Sequence, residues 1–93
     1  MTTQWQGKKY WLVGASDGLG AALARLMSRA GAEVVLSARS EQKLAAVVAE
    51  LPGKASFQVM DIADTASVKS AAQAVGEVDG IVPFHGLVET MIW

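Results

Sequence analysis

The chain has 93 residues, of which 52% are hydrophobic and 18% charged, and its formal net charge is −1. This composition excludes a disordered chain and indicates one small domain whose strands or helices are buried on more than one side. The weak net charge predicts neither a nucleic-acid partner nor a membrane surface, and the lack of cysteine beside a single histidine argues against disulfides and metal sites.

The amino-terminal residues predict a strand, a glycine turn and a helix. Residues 1–7 are expected to form an irregular lead-in, and no apolar run reaches the roughly 18 residues of a membrane span, so we expect a cytoplasmic chain. Residues 10–13, Tyr-Trp-Leu-Val, form an apolar run typical of a central parallel strand. Gly14, Gly18 and Gly20 then let the backbone turn sharply and present helix N–H groups to a phosphate.

Residues 19–30 carry apolar side chains at helical spacing and predict an amphipathic helix that ends at Gly31. The residues predicted to face inward are Leu19, Ala22, Leu23, Leu26, Met27 and Ala30. The next predicted elements are a strand over 34–38, a helix over 41–51 capped by Ser40, and a strand over 55–60. A third helix is predicted to be capped by Asp64 or Thr65 and to end at Gly76, and the residues predicted to face inward are Val68, Ala71, Ala72 and Val75. A last strand is predicted over 78–82, stopped by Pro83.

Strands and helices therefore alternate along the chain with short connections. This alternation predicts an α/β fold of Rossmann type, in which about four parallel strands in the order 3-2-1-4 lie between layers formed by three helices. In such a sheet the direction of winding reverses beside the first strand, and ligands bind there, at the carboxyl ends of the strands. The glycine turn lies at that point, although a tight turn can also use glycine for packing alone.

Residues 13–20, Val-Gly-Ala-Ser-Asp-Gly-Leu-Gly, resemble the Thr-Gly-x-x-x-Gly-x-Gly fingerprint of the short-chain dehydrogenases/reductases, with Val13 in place of the threonine. The resemblance continues through residues 36–40 and 60–64 and covers about residues 8–82. It implies the amino-terminal, cofactor-binding half of an oxidoreductase that transfers hydride between NADP(H) and a carbonyl or alcohol. Residues 1–93 would then be a single partial dinucleotide-binding domain, with an atypical tail over 83–93.

The resemblance also assigns cofactor-binding residues. The three glycines would hold the pyrophosphate, Asp61 would bond the adenine amino group, and Ile62 would line the ring, although Asp61 could equally be a turn former. Where an acidic residue would imply NAD, the chain has Ala38 followed by Arg39, so NADP(H) is favoured over NAD(H), unless Arg39 is simply solvated. The complete predicted set is Gly14, Ser16, Asp17, Gly18, Leu19, Gly20, Arg39, Asp61 and Ile62.

Two departures from the family pattern bear on activity. Residues 83–86, Pro-Phe-His-Gly, stand where the family has Asn-Asn-Ala-Gly, and the family's catalytic serine and Tyr-x-x-x-Lys pair have no counterpart, since the single tyrosine, Tyr10, is followed four residues later by Gly14. We therefore predict no catalytic residue, an isolated chain without turnover, and a truncated or frameshifted reductase. The alternative is a non-catalytic nucleotide-binding or interaction module. In both cases the open edge of the fourth strand predicts self-association or a partner chain.

Overall fold

The computed structural model of the chain describes residues 6–14 and 18–83. In chain order its elements are β1 (Lys9–Val13), α1 (Gly18–Arg29), β2 (Glu33–Ser37), α2 (Glu41–Ala49), β3 (Ala55–Phe57), α3 (Thr65–Val75) and β4 (Gly80–Pro83). The strands form one parallel sheet in the order β3-β2-β1-β4, which confirms the predicted fold and strand order. None of the helices in these ranges is long and apolar enough to cross a membrane.

Alternate residues of the strands build two separate cores, one on each face of the sheet. On one face, Leu12 and Leu36 pack with α1 and α2 in a cluster that includes Ala24, Met27 and Leu44. On the other face, a second cluster packs against α3 and contains Trp11, Val13, Val35, Met60, Ala71 and Val75. Because both faces are covered, the two central strands are apolar at most positions, as the sequence pattern predicted.

The face that α1 turns toward the sheet differs from the predicted one. The predicted inward residues Leu19 and Leu26 are 74% and 56% exposed, whereas Ala21 and Ala24 are buried. Small side chains let the helix axis lie close to the strands, and leucines at these positions would hold it away. Ala22 is also exposed, whereas Met27 is buried as predicted. The hydrophobic periodicity of α1 was therefore correct, but most of the predicted inward face was wrong.

The predicted helix ends agree more closely with the structure. Ser40 is the N-cap of α2 and accepts a hydrogen bond from the Lys43 N–H at 3.2 Å. Asp64, not Thr65, caps α3 by accepting from the N–H groups of residues 66 and 67. Gly31 follows α1 with a φ of +96°, the conformation expected for a helix-ending glycine. In α3 the predicted inward residue Ala72 is exposed, because Ala71 and Val75 form the buried stripe.

The bounds of the last two strands differ slightly from the prediction. β3 ends at Phe57, and residues 58–60 continue beside β2 through single hydrogen bonds. β4 begins at Gly80 and includes Pro83, which was predicted to stop it. Proline cannot donate to a sheet, and β4 tolerates it because, within the described ranges, this strand pairs with β1 alone.

Candidate functional site

The glycine turn begins where β1 ends, at the centre of the sheet. Gly14 has a φ of +82° and Gly18 a φ of +61°, a region that residues with a Cβ adopt at a cost. The Gly14 N–H donates to the Ser37 carbonyl at 2.6 Å, which ties the start of the turn to the end of β2. The predicted site residues Ser16 and Asp17 lie outside the described residues.

Among the described residues, nothing covers the start of α1 at Gly18. A Cβ added to Gly18 would meet no atom of residues 6–14 or 18–83 within 4 Å, and both Gly18 and Leu19 are exposed. The first N–H groups of a helix have no partner within it, and the helix dipole makes this end partly positive. The first turn of α1 contains no acidic residue to compete with an anion. Gly20 is buried, where the lack of a side chain permits close packing on the sheet.

The segment after β2 supplies the candidate cation. Arg39 follows the strand by two residues, is exposed, and forms no ion pair with any carboxylate of residues 6–14 or 18–83. Ala38, between the strand and the arginine, is partly buried against the apolar cluster of α1 and α2. The guanidinium is therefore accessible at the same end of the sheet as the glycine turn.

Asp61 and Ile62 follow the chain segment that extends β3. The Met60 N–H donates to the Ala38 carbonyl at 2.9 Å, and this hydrogen bond places Asp61, the next residue, beside the end of β2. The Asp61 backbone N–H donates to the Ser67 hydroxyl, and its Oδ1 accepts from the Ala63 N–H, both at 3.0 Å. Asp61 thus makes the turn contact that was its alternative role, while Ile62 is 52% exposed and accessible.

The strand order brings these positions together at the carboxyl end of the sheet. β1 and β2 are paired neighbours, and the segment before Asp61 is bonded to the end of β2, so Gly14, Arg39 and Asp61 all lie at the carboxyl ends of adjacent parallel strands. At this carboxyl end, beside β1, the winding of the sheet reverses, and open α/β sheets bind ligands there.

The sequence did not predict one buried polar contact near the carboxyl end of the sheet. The Trp11 indole N–H donates to the Ser37 hydroxyl at 2.8 Å, and Ser37 is completely buried. In the sequence, Trp11 is simply part of the apolar run of residues 10–13, which predicts no partner for its N–H. A usable signal was present, because a serine in an otherwise apolar buried strand needs a partner and Trp11 lies on the same face of the neighbouring strand.

Comparison with known proteins identifies the family. The family model described as short chain dehydrogenase matches residues 8–91. The chain belongs to the short-chain dehydrogenases/reductases. This membership agrees with the glycine turn, the strand order and the resemblance found in the sequence, and it makes the chain a relative of oxidoreductases.

Individual relatives within the short-chain dehydrogenases/reductases differ in substrate and cofactor. An A-factor type gamma-butyrolactone 1'-reductase from Streptomyces virginiae is 41% identical over 64 residues, which cover 69% of this chain and 25% of the relative. The structure of L-sorbose reductase from Gluconobacter frateurii, complexed with NADPH and L-sorbose, matches with a TM-score of 0.84 at 25% identity and covers 94% of this chain and 36% of that one. An NADH-dependent reductase complexed with NAD matches with a TM-score of 0.76 at 25% identity, covering 89% and 38%. The chain thus spans about a quarter to two fifths of the length of these relatives.

Proposed function

We propose that this chain binds NADP(H) as the cofactor-binding part of a short-chain dehydrogenase/reductase, and that residues 1–93 belong to a single dinucleotide-binding domain. The observation that carries the proposal is the positive φ of both Gly14, after β1, and Gly18, at the start of α1, together with the absence of any described atom near an added Gly18 Cβ, at the point where the sheet reverses its winding. A diphosphate would be held there by the free N–H groups at the start of α1. Ser16, Asp17, Leu19 and Gly20 complete this part of the proposed site.

We assign the preference for NADP(H) to Arg39. Its exposed guanidinium stands after β2 with no described carboxylate to neutralise it, and a planar fork of donors matches the geometry of a phosphate. Ala38 precedes it, so the strand end offers no carboxylate to bond a ribose 2′-hydroxyl. The adenine would lie toward Asp61 and Ile62, whose backbone is fixed beside the end of β2 by Met60.

When bound, the reduced nicotinamide cofactor supplies the hydride that reduces a carbonyl, and the oxidised cofactor accepts a hydride from an alcohol. The residues of this chain would bind and orient it, but the sequence carries no Tyr-x-x-x-Lys pair to donate a proton, because its single tyrosine, Tyr10, is followed four residues later by Gly14. Tyr10 is half-buried in β1 and packs against the apolar cluster of α1 and α2, away from the carboxyl end of the sheet where the proposed site lies. We therefore propose that the chain by itself binds cofactor without catalysing turnover, and NADPH-dependent carbonyl reduction by the purified chain would contradict this.

The test of cofactor preference is a comparison of two exposed arginines by calorimetric titration with NADPH and NADH. Arg39→Ala should weaken NADPH binding by roughly tenfold to a hundredfold, because a charge-assisted pair is lost, and should change NADH binding less than about twofold. Arg29→Ala is the matched control, since Arg29 is also exposed but ends α1 at the opposite end of the sheet. Equal losses for both cofactors would refute the phosphate role of Arg39.

A second candidate function is a non-catalytic module that pairs with another chain. The observation in its favour is β4, which has one neighbouring strand within the described residues and carries Ile81 at 48% exposure. This candidate predicts that NADPH changes the assembly state of the chain, measured by light scattering with and without cofactor. An assembly state that is unchanged while NADPH binds favours the reductase part over the module.

A further inference from the structure

The end of β2 joins three segments that carry the proposed site. Its consecutive carbonyl groups accept hydrogen bonds alternately from the two sides. The Ser37 carbonyl accepts from Gly14 at 2.6 Å on the β1 side, and the Leu36 and Ala38 carbonyls accept from Gln58 and Met60, both at 2.9 Å, on the β3 side. The Ser37 peptide therefore lies between the glycine turn and the segment that leads to Asp61.

The side chain of this same serine is held by Trp11. The indole N–H donates to the Ser37 hydroxyl at 2.8 Å, in a buried contact on the face covered by α3. Ser37 is 0% exposed and Trp11 is 7% exposed, so water cannot replace either partner. Every buried side-chain polar atom within the described residues has a partner, and this bond accounts for Ser37.

We propose that the Trp11–Ser37 hydrogen bond is a positioning device for the adenosine end of the NADP(H) site. By fixing the rotation of the Ser37 side chain and peptide, it holds Gly14, Arg39 and Asp61 at constant separations. Neither residue touches the cofactor in this proposal, and both act through the backbone of β2. The inference rests on the proposed cofactor-binding function and adds to it two residues that set its affinity.

The test separates positioning from stability with four variants: Trp11→Phe, Ser37→Ala, the double variant, and Ser28→Ala as the matched control. Ser28 is also a buried serine, at 3% exposure, and its hydroxyl accepts from the Gly53 N–H at 2.9 Å. It lies in the last turn of α1, at the end of the sheet opposite the proposed site. All four variants are made in the 93-residue chain, and melting temperature and NADPH affinity are measured for each.

Each single substitution at the pair leaves a buried polar group unpaired, so the melting temperature should fall by roughly 5 °C or more. The double variant removes both polar groups and should be no less stable than Trp11→Phe. Its NADPH affinity should nevertheless remain about tenfold below that of the parent chain, because the bond that holds the strand end is gone. Affinity that returns to the parent value together with stability overturns the proposal. An equal loss of affinity in Ser28→Ala at matched stability overturns it as well.

A second readout needs no cofactor. Amide hydrogen exchange at Gly14 and Met60 should be about tenfold faster in the double variant than in Ser28→Ala, because both N–H groups donate to the β2 end. The Val34 N–H, which donates to the Lys54 carbonyl at 3.1 Å at the other end of the sheet, is the internal reference. Unchanged exchange at Gly14 and Met60 overturns the positioning role. A parent chain that binds no NADPH contradicts the proposed function, while the exchange rates still decide the role of the pair.

Discussion

Gly18 and Gly76 both have positive φ angles but lie at the ends of different helices. Their φ angles are +61° and +79°, and a Cβ added to either would meet no atom of the described residues within 4 Å. An alanine at either position would be strained without clashing with the described residues, and the strain is larger at Gly76, whose ψ of −152° lies in a region that is essentially restricted to glycine. They differ in location, because Gly18 begins α1 at the proposed site and Gly76 ends α3.

We predict that Gly18→Ala and Gly76→Ala both destabilise the chain, Gly76→Ala the more strongly, while Gly18→Ala alone weakens NADPH binding, by about tenfold or more. The methyl group at Gly18 would fill the space through which a phosphate approaches the helix N–H groups. Urea unfolding gives the stabilities and calorimetric titration the affinities. If the two variants bind NADPH equally well, the turn has no phosphate role and its glycines are structural.

At single residues, the sequence predicted backbone requirements better than buried side-chain contacts. Gly14, Gly18 and Gly31 were expected at turns and have positive φ angles, because a need for positive φ restricts the residue type strongly, whereas Gly20, expected in the same turn, lies inside α1 without a positive φ. The Trp11 bond to Ser37 was missed, since tryptophan satisfies the apolar pattern of a strand whether or not its N–H has a partner. The cofactor roles of the nine predicted site residues stay predictions, and titration of the variants described above tests Gly18 and Arg39.

At the scale of elements, the sequence predicted the type and order of every helix and strand, but not which face of α1 is buried. Alanines and leucines both satisfy an apolar periodicity, and the pattern cannot show that close approach to the sheet selects the smaller side chains. In the structure Ala24 is 0% exposed and Leu26 is 56% exposed, the reverse of what their hydrophobicity suggests.

This reversal can be measured by stability. Ala24→Leu should destabilise the chain by about 1–3 kcal/mol or more, because the added atoms have no space between α1 and the sheet. Leu26→Ala should change the free energy of unfolding by less than about 0.5 kcal/mol, since an exposed side chain is shortened and alanine favours helix. Chemical denaturation of both variants checks the prediction. A larger loss for Leu26→Ala would mean that α1 buries the originally predicted face.

At the scale of the whole molecule, strand order followed from the sequence because few arrangements satisfy short connections and right-handed crossovers. That order makes β1 and β2 central and puts β3 and β4 at the edges of the described sheet. The two edges are not equivalent. The central cores are closed on both faces by helices, but β4 carries Ile81 at 48% exposure beside backbone groups that no described strand pairs.

An exposed apolar edge strand favours pairing with another chain, and a charge placed on it opposes that pairing. We therefore predict that the 93-residue chain self-associates at micromolar concentration and that Ile81→Lys shifts it toward monomer, with the far-ultraviolet circular dichroism unchanged. Leu26→Lys is the control, because Leu26 is similarly exposed, at 56%, but lies on α1 and away from the sheet edge. Light scattering after size exclusion measures all three chains. A monomeric parent chain refutes the prediction. An equal shift in both variants would mean that exposed apolar side chains in general, and not the β4 strand, drive the association.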